Sequence, residues 1–198
     1  MIRRTAIAAA TVGTLLLSGA TAAQIQASPT RVATTRPVPQ SAPAAKTHGL
    51  AALRQVASRF ANLQRAENAG YGFFTDAKGI ACIAMPSMPG MPGAGGMGVH
   101  FVKSAFVANP AEKVRQPEAM VYRIDKTGKL VLAAAEYVVI KSAWDATHSA
   151  RPKLFGHRFM LTPAGNRYGL PAFYSLHAWA WYHNPTGRFA MWNPRVHC

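Results

Sequence analysis

Leu50, Leu53, Val56, Phe60 and Leu63 recur at the spacing of one helix face, with Arg54, Arg59, Gln64 and Arg65 between them. This pattern predicts an amphipathic helix over 49–69. Gly70 stands where a left-handed C-terminal residue is wanted. Beyond it the period changes. Strands are predicted over 80–85 and 97–107, separated by a loop rich in Met, Pro and Gly. Residues 119–125 and 129–140 flank Lys126-Thr127-Gly128, a hairpin signal. The second arm, LVLAAAEYVVI, is apolar on both faces except at Glu136, as suits the middle of a sheet. A further strand is expected over 173–182, then a turn at 184–187, with 189–192 pairing back. One helix followed by hairpin-linked strands predicts an α+β fold, an N-terminal amphipathic helix packed on a mainly antiparallel sheet.

Ahead of this domain the pattern is different. Arg3 and Arg4 precede a run of small and apolar residues, and Ala20-Thr21-Ala22 supplies small residues at a cleavage site. That order predicts a secretory signal over 1–22. The run is too short and too rich in Ala, Thr and Gly for a spanning helix, which needs about 20 apolar residues. No later segment is apolar enough to span a bilayer, so no transmembrane segment is expected after processing. Residues 23–47 are rich in Pro, Ala, Ser and Thr and read as a flexible linker. Residues 48–198, about 150 in number, suffice for one domain with its own core.

Composition adds a compartment and a charge. The formal net charge is +15, from 22 basic and 7 acidic side chains. Export and the scattering of the basic residues argue against nucleic acid as partner. Weak contact with anionic cell-surface polymers is the expected use of such a surface. Cys82 and Cys198 are the two cysteines. An even pair in a periplasmic or secreted protein predicts a disulfide, worth on the order of 4–5 kcal/mol by loop entropy; two thiolate metal ligands are the alternative.

Three polar residues interrupt otherwise apolar strands: His100, Glu136 and His177. Alternation places Glu136 on one face with Leu132, Ala134 and Val138, and His177 on one face with Trp179 and Trp181. A carboxylate on an apolar face must be paired, hydrogen-bonded, metal-bound or protonated. If the strands are neighbours, the three side chains form a set for a divalent transition metal with positions left open. The alternatives are a metal-dependent enzyme with Glu136 as ligand or base, and a buried polar network in a structural or assembly protein. Met85, Met88 and Met91, followed by Met97 and His100, offer monovalent copper as a different cofactor. The C-terminal aromatics, Trp179 and Trp181 among them, can line a ligand pocket with Asn193 at its rim. There is no Gly-x-Ser-x-Gly elbow, no phosphate-binding Gly-rich loop and no Cys-x-x-Cys. Nothing in the pattern bears on the oligomeric state.

The chain resembles a family of exported bacterial proteins through segments that follow one another in order. They include Gly96-Met97-Gly98-Val99-His100-Phe101-Val102, Pro117-Glu118-Ala119-Met120-Val121-Tyr122, Glu136-Tyr137-Val138-Val139, Leu176-His177-Ala178-Trp179 and Asn193-Pro194-Arg195-Val196-His197-Cys198. The resemblance covers nearly all of the expected domain and implies a shared single-domain fold. No activity is established for the family, so it implies no catalytic residues.

Overall fold

An asparagine divides the N-terminal helix. In the computed structural model, which describes residues 42–87 and 94–198, helix α1 (Ala42–Ala57) runs into one 3-10 turn (Ser58–Ala61). Helix α2 (Leu63–Asn68) then starts afresh. Asn62 is extended (φ −86°, ψ 112°), and its side chain accepts the Arg65 N–H at 3.2 Å. An N-cap of this kind competes with helix continuation. The single helix expected over 49–69 is therefore two, although the apolar stripe persists: Leu50, Leu53 and Phe60 are buried, and Val56 and Leu63 pack at the margin. Gly70 closes α2 at φ 88°. The expected signal, and the linker up to residue 41, lie outside the described residues.

The strands are β1 (Gly72–Phe73), β2 (Cys82–Met85), β3 (Gly95–Val102), β4 (Ala119–Ile124) and β5 (Leu130–Ile140). They continue with β6 (Lys153–Leu154), β7 (His157–Arg158), β8 (Met160–Thr162) and β9 (Phe173–Ala178). Short helices α3 (Ser104–Val107) and α4 (Lys141–Asp145) follow β3 and β5. A seven-stranded antiparallel sheet has the order β1-β3-β4-β5-β9-β8, with β2 also pairing with β3. β6 and β7 form a separate ribbon. The LVLAAAEYVVI segment is β5, flanked by β4 and β9 as an all-apolar strand requires. Among the described residues no helix is long and apolar enough to cross a membrane.

One face of the sheet carries the core. Leu53, Ala57 and Phe60 from the helices join Phe101, Met120, Tyr122, Tyr137 and Leu176 in one buried cluster. Polar atoms there find partners: the Tyr122 hydroxyl donates to Phe60 O at 2.7 Å, and Arg54 donates two bonds to Ala180 O. The C-terminal segment is fastened to the sheet edge by the Cys82–Cys198 disulfide, whose ends lie 116 residues apart. A bridge between Gly96 and Asn193 adds to it. Gly95 (φ 88°) is required at this seam, because a Cβ there would stand 2.1 Å from Asn193 O.

Three details of the sheet differ from the alternation read along the chain. A bulge opposite Val121 and Tyr122 makes Ala133 the extra residue of β5. It turns Leu132 onto the helix side, away from Glu136. The Ala133 carbonyl accepts the Trp181 and Tyr182 N–H groups, so the bulge also anchors the chain leaving β9. β9 stops at Ala178, where the Ala180 N–H turns back to Ala178 O. Trp181 accordingly sits on the helix side, donating to Ser58 Oγ, and does not share a face with His177. Lastly, the strand expected over 97–107 yields to α3 at Ser104, and 189–192 forms no strand.

A second buried acid lies beside β5. Glu118 is 2% exposed, and its carboxylate accepts the Val138 N–H at 3.1 Å where β4 has not yet begun. Burial, then the neighbouring charge of Glu112, pushes its carboxyl up to about 8. Burial pushes Glu112 up to about 7. A carboxyl raised on folding adds stability that is complete below its unfolded value and is lost as pH rises through its folded value. Chemical denaturation should find the domain about 2 kcal/mol less stable at pH 8.5 than at pH 6.5 from Glu118 alone. Glu118→Gln, whose amide oxygen can still accept from Val138, should flatten that dependence. An equally steep profile in the variant refutes the assignment.

Candidate metal centre

Strand order and register bring the three interrupting residues together. Glu136 on β5 stands directly opposite His177 on β9. On its other side Glu136 faces Ala119 of β4, while His100 of β3 faces Val121, two residues along. His100 and Glu136 are thus diagonal neighbours across β4. The methyl of Ala119 is short enough for the long side chains to meet above it. All three lie on the face opposite the helices, at 7%, 12% and 1% side-chain exposure for His100, Glu136 and His177.

His100 Nε2 lies 3.2 Å from Glu136 Oε2 and 3.4 Å from His177 Nε2. His177 Nδ1 lies 3.5 Å from Glu136 Oε1, but it has no hydrogen-bond partner among the described residues. One ligand atom from each residue can be chosen so that all three fall within 4.8 Å of one another. Tetrahedral bonds of about 2.0–2.1 Å put ligand atoms about 3.3–3.4 Å apart; the His100–Glu136 and His100–His177 separations are close to this, while the three together are held within 4.8 Å. Trp179, stacked on the His177 ring at 5.9 Å and 18°, fixes its plane. The Trp179 indole N–H is spent on Ala190 O at 2.7 Å.

The protonation states suit ligation. Burial pushes the His177 imidazole down to about 4, against the pull of Glu136. Burial alone would raise the Glu136 carboxyl; His177, His100 and a hydrogen bond with Ser175 outweigh it and hold it below the ordinary carboxylate range. At neutral pH the centre therefore offers an anionic oxygen and a neutral His177, the forms that bind metals.

A cavity of about 610 Å³ opens over this centre, with His100, Glu136 and Ser175 on its floor. Its rim is clipped shut at one side. Arg167 donates two bonds to Asp76 Oδ2, at 3.0 and 2.6 Å, and Ala77 N–H bonds Arg167 O.

The other sequence-derived candidates fall elsewhere. Of Trp179, Trp181 and Asn193, none is among the residues that line this cavity. Trp179 backs His177. Asn193 is fully buried, holding the C-terminal turn through His183 O and the Arg195 N–H. Met85 is 45% exposed on β2, whereas Met97 is buried and lines the cavity. Met88 and Met91 lie outside the described residues. Tyr168 and Phe173, among the C-terminal aromatics expected to line a pocket, do line this cavity, whereas Phe73 and Phe74 of its wall were not singled out from sequence. The two pairs come from segments distant along the chain, and no spacing rule joins them. Comparison of the chain with protein-family models, curated proteins and solved structures gives no match.

Proposed function

We propose that this is an exported domain that binds a divalent transition metal through His100, Glu136 and His177 and presents the metal's open position to the cavity. The convergence of one carboxylate and two imidazoles, with a ligand atom of each within 4.8 Å of the others, carries the reading. Two imidazoles with one carboxylate is a donor set that zinc takes with a position left open. The Cys82–Cys198 disulfide supports an oxidising compartment, and with it the reading of residues 1–22 as an export signal.

Zinc titration of untagged protein, followed by calorimetry and thermal unfolding, tests the proposal. One equivalent should bind. At a free concentration of about 100 times Kd the gain is about 2.7 kcal/mol, which raises Tm by about 5–10 °C in a domain of this size. No binding and no shift, repeated with cobalt and nickel, would remove the metal and leave the polar network.

A further inference from the structure

Resting on that metal reading, we propose that the cavity receives an apolar monocarboxylate of the medium-chain fatty acid type, with its carboxylate on the metal. The argument begins with shape. The cavity of about 610 Å³ holds a ligand on the order of 10–20 heavy atoms. Phe73, Phe74, Val102, Ile140, Leu170 and Phe173 give it apolar walls, and the metal centre lies at its floor. The occupant is therefore apolar along its body with its polar group at one end.

Charge then decides the nature of that group. A divalent ion held by one carboxylate and two neutral imidazoles carries one net positive charge. An unbalanced charge is costly in an apolar enclosure, and a single anionic head cancels it. Two of the other polar side chains on the wall are already engaged. Arg167 is committed to Asp76. Asn166 spends its amide on Pro163 O, Leu170 O and the Tyr168 N–H. The ion is what supplies a positive charge at the floor for the head to pair with. Binding of the acid is thus tied to the ion.

Decanoate is the probe, titrated by calorimetry into zinc-loaded and metal-free protein. Zinc-loaded protein should bind it at least about tenfold more tightly than metal-free protein, and at least about tenfold more tightly than it binds acetate. Leu170→Trp, or Val107→Trp should the first not fold, fills the cavity. It should weaken decanoate at least about tenfold while zinc affinity, the check on folding, stays within about twofold. Zinc binding with no decanoate binding overturns the carboxylate and leaves the metal centre intact. Equal binding with and without zinc, or acetate as tight as decanoate, also overturns it. Failure to bind zinc overturns both readings together.

Discussion

Glu136→Gln is expected to lower zinc affinity by at least about 100-fold. Loss of an outer partner of a metal ligand already costs about 10–100-fold, and in the proposed centre Glu136 is both a direct ligand and the single anion of the set. Glutamine preserves the volume and can still accept a hydrogen bond from Ser175 or an imidazole. The metal-free variant should therefore stay within about 1 kcal/mol of the parent. This separates ligation from a purely structural role. A network that exists only to hold strands together would be indifferent to zinc in parent and variant alike. Unchanged zinc affinity would place the ion elsewhere.

The second large effect belongs to the disulfide. Replacing Cys82 and Cys198 together with serine releases a loop of 116 residues. Loop entropy puts the loss at about 4–5 kcal/mol, which is about 10–20 °C in Tm for a domain of this length. The C-terminal segment would then hold to the sheet through the Gly96–Asn193 bridge and buried Val196. Its amide protons from Trp192 onward should exchange faster than those of β4 and β5. A Tm within a degree or two of the parent would show that the bridge adds nothing to stability.

Much of the architecture is legible along the chain because it rests on local periods. The helix stripe at Leu50, Leu53 and Phe60, the hairpin around Gly128 and the central place of LVLAAAEYVVI all follow from spacing and turn chemistry. So does the singling out of His100, Glu136 and His177, since polar side chains in apolar strands must be accounted for. Other features escape for stated reasons. Asn62 breaks the helix by capping, while the apolar pattern runs on through it. The bulge at Ala133 has no signature in a run of three alanines, yet it reverses the face of Leu132. That β4 lies between β3 and β5, and that Ala119 leaves the gap His100 reaches across, is a property of strand order and register. Those are fixed by contacts between distant segments, as is the cavity.

From Glu136 onward β5 alternates between half-open and buried positions, with Glu136, Val138 and Ile140 toward the cavity and Tyr137 and Val139 toward the helices. Heritable change on the two sides has different fates. A substitution at Tyr137 or Val139 is met by quality control as a misfolded chain. One at Val138 or Ile140 passes through as a well-made protein with an altered cavity wall. The scaffold can therefore be inherited nearly unaltered while the lining of its cavity diverges from one lineage to the next.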